Sequence, residues 1–228
     1  MIKYDILILN GGKGTRVSKY TKNIPKCLIK FNKKPFLYHQ LKLLKKFKIK
    51  NVLISTKYKS DLITNYLTKS VDFINFKIVS DGAQFKGTGG ATKKILKFMK
   101  SSFFILYGDS YPRFNLNKLK LKKSCMAIYK NNNKYDKSNV ELLKKSKIRY
   151  FKEMPAKDLK YIDYGISYVN KSVFSHIDKN KYDLPVLFEK LSAIGGLKGH
   201  VVKNRFYEIG SYNGIRDFKN YIKKNELY

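Results

Sequence analysis

Ile6-Leu7-Ile8-Leu9-Asn10-Gly11-Gly12-Lys13-Gly14-Thr15-Arg16, followed after a short loop by Pro25-Lys26, is the stretch that decides how this chain folds. Its apolar, partly β-branched run stops abruptly in three glycines, the pattern of a buried strand that delivers a loop to one edge of a sheet. Glycine there lets backbone N–H groups approach phosphate oxygens that a Cβ would hold away. Thr15 adds a hydroxyl, Arg16 a fork that grips two oxygens at once, and Lys26 a compact positive charge. These are the parts of a triphosphate cradle. The plainer alternative is a glycine turn between strand and helix with solvated cations around it.

Two better-known glycine loops do not fit. A dinucleotide fingerprint needs a third glycine where Thr15 and Arg16 stand, and an acidic residue about twenty positions on. A P-loop needs a Lys-Ser or Lys-Thr pair after its last glycine, and none follows Gly14.

Working outward, strand-like runs recur at Val52–Ser55, Phe76–Val79 and Phe103–Tyr107, separated by helix-like stretches at Phe36–Phe47, Lys59–Thr68 and Ala91–Met99. This βαβ rhythm predicts an α/β fold, a Rossmann-like, mostly parallel mixed sheet with helices on both faces. The loops after Leu9, at Asp81–Gly90 and at Gly108–Tyr111 then meet at the carboxyl edge of the strands, where such sheets bind ligands. The second half is richer in strands, with Met126–Tyr129, Ile148–Phe151 and Gly165–Val169 as candidates, then helices near Val186–Leu191 and Gly214–Lys224. It reads as an extension of the same sheet, so residues 1–228 are expected to form a single domain. The first strands and their glycine loops fill residues of about 1–112 and the extension about 113–228.

Composition agrees with a well-cored α/β domain. The 228 residues are 43% hydrophobic and 14% aromatic, enough for a well-packed core. No run approaches the roughly 18 apolar residues of a membrane span, and Asp5 interrupts the first apolar stretch, against a signal peptide. The expectation is a cytoplasmic protein, monomeric or homodimeric, with no membrane partner. The formal charge of +33, from 49 basic and 16 acidic residues, raises a nucleic-acid reading. The lysines are scattered in pairs such as Lys45-Lys46 and Lys144-Lys145, the mark of solvated faces and compositional bias, so no nucleic-acid partner is expected. Cys27 and Cys125 fit no metal or redox spacing; Cys27 beside Lys26 is either a packing residue or a mildly activated thiol. His39, His176 and His200 are isolated.

Over Leu9–Pro35 the chain resembles the sugar-1-phosphate nucleotidylyltransferases, the nucleoside-diphosphate-sugar pyrophosphorylases. Their signature is met by Leu9, Gly11, Gly12, Gly14, Thr15, Arg16, Thr21, Pro25, Lys26, Leu28 and Pro35; Val17 stands where Leu is usual and Asn10 where Ala or Cys is common. Further segments resemble other family elements. Gly108-Asp109 resembles the family's Asn-Gly-Asp, with Tyr107 in place of Asn, and Phe206–Ser211 its aromatic-x-Asp-x-Gly-Thr, with Glu208 in place of Asp. Lys86-Gly87-Thr88-Gly89-Gly90-Ala91 resembles Leu-Gly-Thr-Gly-Gly-Ala. The short bacterial heptose- and mannose-1-phosphate guanylyltransferases are the most similar branch.

The resemblance implies a nucleotidyltransferase of type A-like fold that carries out Mg²⁺-dependent transfer from an NTP to a sugar 1-phosphate, for surface polysaccharide or glycoconjugate synthesis. GTP is favoured, with UTP or CTP as alternatives. It implies Arg16 and Lys26 as catalytic residues and Asp109 and Glu208 as the Mg²⁺ ligands. Leu9, Asn10, Gly11, Gly12, Gly14, Thr15, Asp81, Gly87, Thr88 and Gly89 would bind the nucleotide, with Ala91 opening the following helix. Lys152, Glu153, Asp163, Tyr164 and Gly165 would bind the acceptor, which makes about 1–112 the nucleotide-binding half and about 113–228 the acceptor-binding half and sheet extension. Met154 occupies the place of the lysine that meets the sugar phosphate, and Lys152 is expected to substitute from two residues back on the same strand face. Two other readings stand beside this one. The acceptor is a non-sugar phosphate such as phosphocholine, or the protein binds nucleotide or nucleic acid without turnover.

Overall fold

The computed structural model describes residues 2–80, 82, 86–120, 124–153, 155 and 158–225. In the first half the elements run β1 (Tyr4–Asn10), α1 (Ser18–Thr21), β2 (Lys30–Phe31), β3 (Lys34–Pro35), α2 (Phe36–Lys46), β4 (Asn51–Thr56), α3 (Ser60–Ser70), β5 (Asn75–Ser80), α4 (Gly87–Ile95), β6 (Met99–Tyr107) and β7 (Ser110–Tyr111). Then come β8 (Ser124–Lys130), β9 (Val140–Leu142), β10 (Ile148–Tyr150), β11 (Tyr161–Asn170), α5 (Leu184–Ala193), β12 (Leu197–Val202), β13 (Tyr207–Glu208) and α6 (Tyr212–Lys224).

Nine strands form one sheet. β5, β4, β1 and β6 are parallel neighbours, with Ile8 between Ile54 and Leu106. β11 joins β6 antiparallel and leads on one side to β9 and β10, on the other to β8 and its parallel partner β12. Within this sheet β5, β4, β1 and β6 are parallel to one another, and the antiparallel pairing enters with β11.

β1, β4 and β6 carry unbroken apolar runs because both of their faces are covered, whereas β5 at the edge keeps Asn75 and Ser80 exposed. Ile6, Ile8, Val52, Ile54, Phe104 and Leu106 face one core, which Leu37, Leu41 and Leu44 of α2 and Ile63 and Leu67 of α3 close. Leu7, Leu53, Phe103 and Ile105 face the other, closed by Ile95 of α4 and Leu184, Leu187, Phe188 and Leu191 of α5. A third cluster seats Ile215, Phe218 and Ile222 of α6 on Phe31, Phe36, Tyr111 and Ile209. The Phe218 ring meets Phe31 and Phe36 edge-on at 4.8 and 4.9 Å between centroids. That cluster holds the two-stranded ribbon of β7 and β13 in place, and the ribbon carries part of the site.

Three local expectations need correction. The helix expected over Ala91–Met99 starts at Gly87 and ends at Ile95, a 3₁₀ turn covers Leu96–Phe98, and Met99 opens β6. The glycine run lies in the first turn of α4, which Gly87 enters at φ +69° and whose Gly89 and Gly90 amides are capped by distant chain. β9 and β12 went unseen because one has three residues and the other carries Gly199 in its middle. The strand expected to carry Lys152 ends at Tyr150.

Candidate active site

The carboxyl ends of β1, β4 and β6 open on a crevice of ≈ 240 Å³ lined by residues 9–12, Lys26, Cys27, Lys57, residues 86–88, Ala91, residues 107–109 and Asp183. On one wall the glycine loop is held by Thr21, whose hydroxyl donates to the carbonyls of Gly14 (3.0 Å) and Val17 (3.3 Å). Gly14 sits at φ +70°. A Cβ added at Gly12 would meet nothing within 4 Å, so that backbone is bare toward the crevice mouth. Thr15 and Arg16 are exposed just beyond it. The Asn10 side-chain amide is buried, and its Nδ2 donor has no acceptor among the described residues. A ligand carbonyl or phosphate oxygen in the crevice would satisfy it.

Lys26 enters at the C-terminal side of that loop, and its Nζ lies 2.6 Å from Asp109 Oδ2. Asp109 is on a turn that α2 fixes from behind: the buried Gln40 amide donates to the carbonyls of Ser110 (2.8 Å) and Tyr107 (3.3 Å). The ribbon then brings in the third segment. Glu208 pairs with Ser110, and the Ile209 N–H donates to the Asp109 carbonyl at 3.0 Å. Three charged groups crowd Gly210, where a Cβ would lie 3.0 Å from Glu208 Oε2, 3.1 Å from Asp109 Oδ2 and 3.2 Å from Arg16 Nη2. Segments separated by almost two hundred residues thus meet at one point.

The Glu208 carboxylate accepts from the Gly210 N–H, the Ser211 N–H (3.0 Å) and the Ser211 hydroxyl. Burial pushes its pKa above the usual carboxylate range and the Asp109 charge adds to that, while the Ser211 and Gly210 bonds pull it back. Two carboxylates that repel each other beside a phosphate cradle are a fit for a hard divalent cation, since Mg²⁺ takes one or two carboxylates and fills its shell with phosphate and water oxygens. No group of three or more metal-ligating side chains exists among the described residues, so a cation here would depend on the substrate's own oxygens.

The second glycine turn behaves differently. The amides of Gly89 and Gly90 donate to the Tyr182 carbonyl at 3.0 and 3.1 Å. The Thr88 N–H and hydroxyl donate to Asp183 Oδ1 at 2.8 and 3.1 Å. A Cβ at Gly89 would overlap the Tyr182 ring. Gly87 and Thr88 line the crevice, but Gly89, expected to bind nucleotide, is occupied by packing. Asp81 lies outside the described residues.

On the acceptor side the structure separates what the sequence grouped. Tyr164 is fully buried in the core, its hydroxyl donating to the Asn204 carbonyl (2.9 Å) and accepting from the Arg113 N–H (3.2 Å), so it does not flank a sugar. Lys152 sits on a bend after β10 with Nζ 3.4 Å from the exposed Glu153 carboxylate, not on a strand face. Met154 lies outside the described residues. Gly165, at φ +84°, packs on Ser110 and so touches the Asp109 turn. Asp163 accepts the Gly165 N–H at 2.8 Å, and burial raises its pKa to about 7. Tyr107 is close enough for the Asp163 charge to help burial hold its phenol protonated. Cys27 is buried and its thiol is pushed up to about 12, which settles the choice between packing residue and activated thiol in favour of packing.

The sequence missed four contributors to the crevice and its support. Lys57 and Lys86 follow a strand end and precede a helix, positions that carried a signal. Asp183 and Gln40 carried none, because their roles depend on contacts 95 and 70 residues away.

The family model described as Nucleotidyl transferase matches residues 6–193. D-glycero-α-D-manno-heptose 1-phosphate guanylyltransferase of Campylobacter jejuni is 36% identical over 173 residues, 74% of this chain and 77% of that protein. Mannose-1-phosphate guanylyltransferase 1 of Arabidopsis thaliana is 27% identical over 96% of this chain and 65% of its own length. Among solved structures, HddC from Yersinia pseudotuberculosis complexed with GMP-PN superposes with a TM-score of 0.82 at 22% identity, covering 96% of this chain and 99% of that one.

Proposed function

This chain belongs to the nucleotidyl transferase family, and from that premise we propose that it transfers a guanylyl group from GTP to a sugar 1-phosphate of the heptose or mannose type. UTP and CTP rank behind GTP as donors. The observation that carries the reading is the convergence of Arg16, Lys26, Asp109 and Glu208 at the mouth of a crevice whose rim is the bare backbone of Gly12.

An oxygen of the acceptor phosphate, already anionic and in need of no general base, attacks the α-phosphorus in line. The bond to the bridging oxygen of the β-phosphate breaks and pyrophosphate leaves with the electron pair. Arg16 at the open end grips the β- and γ-phosphates, and Lys26 turns from Asp109 to the α-phosphate as its negative charge is redistributed. Mg²⁺ held between Asp109 and Glu208 would supply further charge neutralisation when bound. Leu9, Asn10, Gly11 and Gly12 form the nucleotide wall, with Gly87 and Thr88 opposite. Asp163 is a buried carboxyl whose charge reaches Tyr107 at the crevice, and Gly165 keeps its strand close to the Asp109 turn. No described helix is long and apolar enough to cross a membrane.

The test is pyrophosphate release, read directly by ion chromatography, from each NTP paired with a panel of sugar 1-phosphates and phosphocholine, with Mg²⁺ and with EDTA. Release with GTP and one heptose or mannose 1-phosphate, lost in EDTA, is the expected result. Release with phosphocholine alone, or nucleotide binding without release from any pair, contradicts it.

A further inference from the structure

On the back of the β7–β13 ribbon lies a second groove, ≈ 330 Å³, lined by Arg113, Arg205, Tyr207, Asp217, Asn220, Tyr221, Lys224 and Asn225. Tyr207 faces it and the next residue, Glu208, faces the site just described, as the two-residue period of a strand requires.

Arginine is rare in this chain: of its 49 basic residues only Arg16, Arg113, Arg149, Arg205 and Arg216 are not lysine. Two of these five line one groove, where a planar fork does what an ammonium cannot. Arg205 is satisfied by its surroundings. Its Nε donates to the Phe206 carbonyl (3.2 Å), its Nη2 to Asp217 (3.1 Å), and its guanidinium lies 3.8 Å from the Tyr135 ring centroid. Arg113 is different. Its guanidinium stands 4.7 Å from the Tyr221 centroid and 5.7 Å from that of Tyr207, and it has no acceptor among the described residues. Its backbone is pinned at both ends, N–H to Tyr164 and carbonyl to the Asn204 amide (3.2 Å). A guanidinium held over a ring by cation–π attraction keeps its N–H donors for an anion, and a fixed backbone lowers the entropy cost of using them. With Lys224 opposite, the groove carries three cationic side chains against the single carboxylate of Asp217.

We propose that this groove is a second anion site, in which the Arg113 fork holds two oxygens of a phosphate group in bidentate fashion and Arg205 and Lys224 supply flanking charge. Its ligand is a phosphate-type oxyanion, free or carried on a small organic ester. The occupant would rest on Tyr207, one residue along the chain from Glu208.

Titration of the full chain by calorimetry with inorganic phosphate and with a hexose 6-phosphate tests this in three variants beside the wild type. Arg16→Ala/Lys26→Ala/Lys57→Ala/Lys86→Ala removes the cations of the crevice and its mouth and is expected to leave one phosphate site intact. Arg113→Lys keeps the charge but removes the fork, and is expected to weaken that site at least tenfold without shifting the melting temperature. Asn220→Asp, on the exposed face of α6, adds a carboxylate to the groove and is expected to weaken it comparably, whatever Arg113 contributes to folding. Tighter binding of the ester than of inorganic phosphate identifies an ester as the ligand, and equal binding a free oxyanion. Phosphate binding lost in the crevice variant, or unchanged in both groove variants, overturns the proposal.

Discussion

Gly12 and Gly89 stand at the same edge of the same sheet, one in the loop after β1 and the other in the first turn of α4, yet they use the absence of a side chain in opposite ways. A methyl group on Gly12 would meet nothing within 4 Å, whereas one on Gly89 would run into the Tyr182 ring. The first turn is bare toward the crevice, its amides exposed beside Lys26 and Arg16. The second is filled by chain from the far half of the molecule, its amides already bonded to the Tyr182 carbonyl and its neighbour Thr88 to Asp183. Similar composition thus serves ligand access in one place and close packing in the other, and only the long-range neighbours distinguish them.

The largest effect expected from breaking this contrast falls on the open turn. Lys26→Ala removes the charged donor beside Asp109 and is expected to lower the rate of NDP-sugar formation by about a hundred- to a thousand-fold, on the scale of one lost transition-state donor. Steady-state rates at saturating substrates measure it, and wild-type turnover would contradict the role. Next comes the glycine pair itself. Gly89→Ala is expected to cost about 1–3 kcal/mol of stability, as overpacking of a core does, seen as a lower melting temperature. Gly12→Ala should leave melting unchanged and raise the Kd for nucleotide instead. The reverse assignment of the two phenotypes would sink the comparison.

Much of the fold was legible because the parallel strands announce themselves as unbroken apolar runs between glycine loops. The family signature over Leu9–Pro35 likewise gave the reaction class. The acceptor side was not legible. Tyr164 looked like a sugar contact from its place beside Asp163 and Gly165, but its face of β11 is the core face, and its hydroxyl is spent on Asn204. Lys152 read as strand because Ile148–Phe151 alternates, yet the pairing with β9 ends at Tyr150. The closure of Glu208 onto Asp109 depends on a two-residue ribbon and on α6 behind it, too little sequence to declare itself.

Two smaller effects sharpen the account. Burial holds the Asp163 carboxyl at about 7, above its unfolded value of 3.8, so the folded state binds more protons and stability falls as pH rises between those values. Asp163→Asn, which still accepts the Gly165 N–H, is expected to melt higher than wild type at pH 8. At pH 3.5, where both carboxyl states are largely protonated, the two should converge. A melting difference independent of pH would rule out the buried charge as its cause. Asp183→Ala takes away the cap on the Thr88 amide and is expected to cost about 1 kcal/mol, the usual worth of an N-terminal cap, in urea unfolding. No change there would mean that the Tyr182 carbonyl alone closes α4.

The measurement that bears most directly on the two turns is residue-resolved amide hydrogen exchange with and without GTP. The Gly11 and Gly12 amides are expected to slow when the nucleotide binds, while those of Gly89 and Gly90, already bonded to Tyr182, stay protected and unchanged. GTP-dependent change at Gly89 and Gly90 with none at Gly11 and Gly12 would contradict the assignment of the first turn to the ligand and the second to the fold.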